Sequence, residues 1–156
     1  MKYYFWILGC AMNYSDAERI SALFDSFGLS RTEDEKEADI FCIIACSVRQ
    51  HAVDRIYGKI KELKERGVTT ILSGCVLEAD RKKLSREFDL IFEMKDINRL
   101  ADFLKQKFGD REVNDFSDYL SIIPAYSSKF RAYVPISTGC NNFCTYCAVP
   151  YTKGRE

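Results

Sequence analysis

Hydrophobic and polar positions along the chain fall into blocks whose period changes from strand-like to helical and back. Tyr3 to Leu8 is aromatic and β-rich and breaks at Gly9, which predicts a first strand. From Asp16 to Phe27 the apolar residues Ala17, Ile20, Phe24 and Phe27 recur at helical spacing. Ser15 is the expected N-cap, Glu18 completes a capping box, and Gly28 stands at the C-cap. Glu33 to Glu37 reads as an acidic, exposed connector. Asp39 to Ala45 is a nearly continuous apolar run, the pattern of a strand covered on both faces. Arg49 to Arg66 is helical, with Val53, Ile56, Tyr57, Ile60 and Leu63 in one stripe and Gly67 as its stop. Thr69 to Leu72 reads as the next strand, Ala79 to Phe88 as a short helix and Asp89 to Phe92 as another strand. Asp96 to Phe108 is a helix with Ile97, Leu100, Ala101, Leu104 and Phe108 on one face, ended by Gly109.

Strands and helices that alternate through short links predict an α/β fold, an open, mostly parallel sheet with flanking helices over residues 1–108. Residues 109–130 have no sustained period and read as a connector. Arg131 to Thr138 then looks like a new strand, followed by Gly139 and a dense cysteine cluster, the start of a second unit over 131–156. No apolar run approaches the roughly 18 residues that would span a bilayer. The opening superficially resembles a lipoprotein signal, with Lys2 before an apolar stretch and Leu8-Gly9-Cys10. That stretch is shorter than the roughly 7–15 residues such a signal needs, so a cytoplasmic chain is expected.

Composition adds two constraints. Of the 156 residues, 23 are Lys or Arg and 23 are Asp or Glu, so the formal net charge is zero. This excludes a basic domain that holds nucleic acid by phosphate neutralisation over its whole surface. Seven cysteines beside the single His51 leave little room for an imidazole-based metal site, and an odd count cannot be fully paired within one chain. Cytosolic cysteine clusters point to metal binding or catalysis.

The cysteines divide into two groups and a remainder. Cys10, Cys46 and Cys75 each follow a predicted strand, and the carboxyl ends of parallel strands share one edge, where ligands bind. Read singly, each is a small buried hydrophobe; together, three equivalent strand ends point to a shared metal or cluster site. Gly9 and Gly74 precede two of them and allow close backbone approach. Cys42 lies inside its strand as an inert core thiol. Cys140, Cys144 and Cys147 form C-x3-C-x2-C within eight residues. Zinc would want a fourth ligand, and none lies nearby in sequence. A four-iron cluster held by three cysteines keeps one iron open for a substrate or cofactor.

C-x3-C-x2-C with an aromatic residue before the last cysteine resembles the motif of radical S-adenosylmethionine (SAM) enzymes. The string from Ser137 to Glu156 resembles the methylthiotransferases among them. Leu8 to Asn13 with Asp16 and Glu18 is similar to that family's opening motif, Ala38-Asp39-Ile40 through Cys46 to Ala52 to its second, and Ser73-Gly74-Cys75 to its third. Cys46-Ser47-Val48-Arg49, Met12-Asn13 and Tyr57-Gly58 resemble the branch that modifies isopentenylated adenosine beside the tRNA anticodon.

The resemblance implies two [4Fe-4S] clusters. Cys140, Cys144 and Cys147 would hold the one that binds and cleaves SAM, with Tyr146 beside the adenine or, alternatively, in the core. Cys10, Cys46 and Cys75 would hold an auxiliary cluster that carries the sulfur. No further residue is singled out as catalytic. The product would be a methylthio group on C2 of the adenine, the partners a tRNA and an electron donor such as flavodoxin or ferredoxin, with no membrane, and the protein a monomer. On this reading the chain is the amino-terminal part of such an enzyme, its barrel truncated after the first strand and cluster loop. The alternatives are a methylthiotransferase of a ribosomal protein and a non-enzymatic iron–sulfur or zinc module.

The sequence departs from the family's usual pattern at Ala11, Ile44-Ala45, Leu77-Glu78 and Lys153. The six ligand cysteines remain, so these departures bear on the groups that orient and tune the auxiliary cluster. His51 at a helix start reads as a helix-surface residue, with a place facing the cluster crevice as the alternative. Lys59, Lys61, Lys64 and Arg66 alternate with Glu62 and Glu65 and read as a solvated face.

Overall fold

The computed structural model describes residues 1–47, 50–110 and 118–156. Five parallel strands, β1 (Lys2–Leu8), β2 (Ser30–Arg31), β3 (Ile40–Cys46), β4 (Thr69–Cys75) and β5 (Leu90–Ile91), lie in the order β2-β1-β3-β4-β5. Helices α1 (Ala11–Ser26), α2 (Gln50–Arg66), α3 (Glu78–Leu84), α4 (Asn98–Phe108) and the single turn α5 (Val149–Thr152) complete it.

The apolar run of β3 is explained by its central position. Alternate side chains of a strand point to opposite faces, and every residue of β3 is buried. Ile40, Cys42 and Ile44 join Tyr3 and Phe5 of β1 and Ile71 of β4 against α1 (Ile20, Leu23, Phe24) and α4 (Leu100, Leu104). Phe41, Ile43 and Ala45 join Leu72 against α2 (Ile56, Ile60, Leu63), Leu84 of α3 and Phe88. Each such aliphatic or aromatic side chain contributes about 1.5–3 kcal/mol by leaving water. Helices on both faces leave the two ends of the sheet as the places where loops gather.

Several elements differ from the pattern-based expectation. Helix α1 begins at Ala11 rather than Asp16, because Asn13 Oδ1 accepts from the Cys10 amide (3.1 Å) and closes the first turn. Ser15 and Glu18, expected as cap and box, are therefore buried inside the helix. Two-residue β2 is too short to carry a period. Tyr57 lies at the edge of the α2 stripe and is exposed, while Ala52 is buried in its place. Helix α3 stops at Leu84, so Phe88 reaches the core from a loop.

Residues 131–138 form no strand. A strand needs a neighbour's N–H and C=O groups, Pro135 lacks a donor, and among the described residues none pairs with this segment. Its Val134 and Ile136 are exposed, as is Phe130 before it. Within the expected connector, 111–117 lie outside the described residues, as do Val48 and Arg49 of the second motif. The remainder packs back onto α1: Ile122 enters the core, and the Ala125 amide donates to the Glu18 carbonyl (3.0 Å). No helix among the described residues is long and apolar enough to cross a membrane.

Candidate metal centre

Strands β3 and β4 end together. Cys46 and Cys75 are partner residues in the parallel ladder, and both are buried. The neighbouring Cys46 thiol, and then burial, push the Cys75 thiol well above its ordinary range. The loops beyond are stitched by Ser47. Its amide donates to the Cys75 carbonyl (2.9 Å), its hydroxyl donates to Asp80 Oδ2 (2.8 Å), and that hydroxyl accepts from the Leu77 amide (3.0 Å). Gly74 has φ +104°, and a Cβ there would overlap the Ala45 carbonyl oxygen. Glycine is what lets β4 lie this close to β3.

Cys10 sits at the N-cap of α1, just past β1 and exposed. Fully buried Asn13 connects it to the other two. Asn13 Oδ1 accepts from the Cys10 amide and thiol (3.1 and 3.7 Å), while Nδ2 donates to the Ala45 carbonyl (3.5 Å) and lies beside Gly74. Cys10, Cys46 and Cys75 thus follow the carboxyl ends of three adjacent parallel strands, and the strand order reverses between β1 and β3, the usual ligand position of an open α/β sheet. The Cys10 thiol is engaged by Asn13, and among the described residues no three His, Cys, Asp or Glu side chains are arranged to hold a metal ion.

The second cysteine group folds on itself. Gly139 (φ +82°) runs against the backbone of Gly154 and Arg155, and the Cys140 amide donates to the Gly154 carbonyl (3.1 Å). The Cys147 amide donates to the Cys144 carbonyl (3.0 Å), and Asn142 Nδ2 donates to Cys140 Sγ (3.5 Å). Cys140 and Cys147 are half-buried and Cys144 is exposed. Helix α5 rests on β4, and Lys153 Nζ meets Asp16 Oδ2 at 2.7 Å. Both cysteine groups therefore belong to the same end of the molecule.

Tyr146 is 89% exposed, so it is not a core aromatic. Cys42 is fully buried in the core, as expected, and burial raises its thiol. His51 is exposed on the first turn of α2. Lys61 and Lys64 are exposed, as a solvated face requires, whereas Lys59 and Arg66 are half-buried; Lys59 pairs with Glu35 and Glu62, Lys64 with Glu87 and Arg66 with Glu62. Of the departing positions, Ala11 is exposed and Ile44 is core, while Ala45 serves the site through its carbonyl.

No disulfide joins any of the seven cysteines. As a donor set, two groups of three thiols suit a soft, thiophilic centre, because thiolates select iron–sulfur clusters, zinc and copper(I). Ser73, two residues before Cys75, adds a fully buried hydroxyl with no partner. The residues fit such a group in chemistry; Cys10 must give up Asn13 to complete the first set. Asn13, Ser47 and Asp16 carry this geometry. The sequence signal of Asn13 and Asp16 is a string of polar residues on α1 that belongs to neither a core stripe nor a solvated face; Ser47 carries no such signal.

A family model described as "Uncharacterized protein family UPF0004" matches residues 2–94, from β1 through β5 and including Cys10, Cys46 and Cys75. The chain belongs to this family. Across its whole length the UPF0004 chain is similar to curated proteins named tRNA-2-methylthio-N(6)-dimethylallyladenosine synthase. The relative from Dictyoglomus thermophilum is 34% identical over 99% of this chain and 38% of its own length. That from Petrotoga mobilis is 36% identical over 100% of this chain and 38% of its own. A third, from Mycolicibacterium smegmatis, is 34% identical over 95% and 32%. The chain thus spans well under half the length of these relatives.

Proposed function

We propose that the chain is the amino-terminal part of an iron–sulfur, SAM-dependent transferase that methylthiolates C2 of isopentenyl-adenosine adjacent to the tRNA anticodon. The observation that carries the reading is the placement of Cys10, Cys46 and Cys75 at the carboxyl ends of the adjacent parallel strands β1, β3 and β4, with a second three-thiol loop whose helix α5 contacts β4. Similarity along the whole chain to proteins named for that product supports it.

On this reading Cys140, Cys144 and Cys147 would hold one [4Fe-4S] cluster, and Cys10, Cys46 and Cys75 the other. When bound, clusters and SAM supply one-electron and sulfur-transfer chemistry that side chains lack. The chain itself positions the ligands. Ser47 and Gly74 hold Cys46 beside Cys75, and Asn13 fixes the turn that presents Cys10. Exposed Tyr146 is free to lie against the SAM adenine. With a net charge of zero, the grip on tRNA falls to the part of the longer protein beyond this chain. The reading places the protein in the cytoplasm, as a monomer served by an electron donor such as flavodoxin or ferredoxin.

Anaerobic reconstitution with iron and sulfide tests the cluster assignment. Two clusters per chain are expected, with one lost in Cys140→Ala/Cys144→Ala. A single zinc that persists in air would instead make this a binding module. For the substrate, tRNA from a deletion strain should lack the modification, regain it with the full gene and not with Cys147→Ala. Unchanged tRNA alongside a hypomodified ribosomal protein would move the activity to that substrate.

A further inference from the structure

Helix α1 buries an unusual set of polar side chains: Asn13, Ser15, Asp16, Glu18, Arg19 and Ser21 are all under 5% exposed. A polar helix face is costly to bury unless its groups find partners. Here most of the partners come from the last quarter of the chain. Asp16 Oδ1 accepts from the Tyr119 hydroxyl (2.9 Å), and Oδ2 meets Lys153 Nζ (2.7 Å). Arg19 donates through Nε to the Tyr119 carbonyl (3.0 Å) and stacks its guanidinium over the Tyr119 ring (4.5 Å). Glu18 Oε1 accepts from the Ser127 amide and hydroxyl (3.4 and 3.2 Å).

We propose that the Asp16–Lys153 ion pair, braced by Tyr119, is a latch that sets the Cys140–Cys147 loop against the Cys46–Cys75 end of the sheet. Its placement is what assigns this role. Asp16 lies six residues after Cys10 on α1, and Lys153 lies six residues after Cys147, at the end of α5. The pair therefore ties the element presenting one cysteine group to the element presenting the other. Asp16 is fully buried and the Lys153 side chain is 8% exposed. A buried ion pair is weak evidence for net stability, because desolvation offsets its attraction, but losing one partner strands the other charge. Helix α5, which Lys153 ends, contacts β4, the strand that ends in Cys75, so the latch lies beside the candidate centre. Lys153 is a positioning residue. Its consequence for catalysis rests on the proposed function, since two groups that act together must keep a fixed separation.

Amide hydrogen exchange of the metal-free chain tests the latch, read at the hydrogen-bonded amides of Cys140, Thr152 and Lys153. In Lys153→Met these should exchange at least ~30-fold faster, as expected for a stranded buried charge. Amides of β3 and β4 should keep their protection, and Lys153→Arg, which restores the charge, should recover the slow exchange. Asp16→Asn should reproduce the Met variant. Wild-type exchange in Lys153→Met would overturn the proposal. So would equal acceleration throughout the sheet, which would make the pair a general stabiliser. After reconstitution and reduction of both clusters with dithionite to the paramagnetic [4Fe-4S]+ state, Lys153→Met should keep its iron content but lose the dipolar coupling between the two centres. Failure of the wild-type chain to take up two clusters would sink the functional reading alone, because the exchange result judges the latch without metal.

Discussion

Cys46 and Cys75 lie opposite each other at the last rung of the β3–β4 ladder. Both are buried, whereas Cys144 is exposed. In the metal-free chain at pH 8, iodoacetamide should modify Cys144 at least ~10-fold faster than Cys75, because the thiolate is the nucleophile and access sets its rate. Peptide mass spectrometry over time reads the order. Equal rates would mean that the β3–β4 end opens freely.

Ser47 makes three hydrogen bonds between the loops that follow β3 and β4. Ser47→Ala keeps the amide bond and removes the two made by the hydroxyl, at a cost of about 1–3 kcal/mol. Urea unfolding measures the cost, and Cys75 in this variant should be alkylated faster than in the wild type.

Gly74→Ala should be far more damaging. Positive φ and overlap with the Ala45 carbonyl oxygen act together, and the loss should exceed ~2 kcal/mol. Gly58→Ala, where a Cβ meets open space inside α2, should instead be neutral or stabilising by up to about 1 kcal/mol. A comparison of urea midpoints for the two variants checks both statements.

Burial raises the Cys42 thiol and moves Tyr3 up to about 12. In the folded chain both groups hold their protons above the pH at which the unfolded chain releases them. Their contribution to stability is therefore complete below the ordinary thiol value of about 8.5, and falls as pH rises past it and then past about 10. Urea midpoints between pH 7 and 10.5 should decline from about pH 8.5 upward. Cys42→Val should flatten the first part of that decline.

Phe24 packs between Tyr3 (4.7 Å between ring centroids) and Phe5 (5.9 Å) under β1. Phe24→Ala should cost about 3–5 kcal/mol, measured by the same unfolding curves. A loss under about 1 kcal/mol would show that the α1 face of the sheet can collapse around the gap.

The central strands and long helices were legible because burial on both faces forces a continuous apolar run and burial on one face forces a stripe. The register of Cys46 with Cys75 follows from parallel pairing once the strands are placed. The start of α1 was not legible, because an Asn side chain reaching back to a Cys amide is not among the usual capping signals. Nor was the role of Ser15, Asp16 and Arg19. Polar residues on a helix normally mean solvent, and their partners lie about a hundred or more positions away, at Tyr119 and Lys153. The strand expected at 131–138 had the right residues without a neighbour to pair with.

The two cysteine groups also differ in how far apart their members lie along the chain, and this bears on the order of maturation. Cys140, Cys144 and Cys147 fall within eight residues and, on the proposed function, would gather around a metal as soon as that short stretch is synthesised. Cys10, Cys46 and Cys75 are separated by 36 and 29 positions and come together only when β1, β3 and β4 have paired. If that group holds a cluster, as proposed, its loading would therefore wait for the sheet. A chain that misfolds early would be unable to capture metal there, while the later loop could still fill.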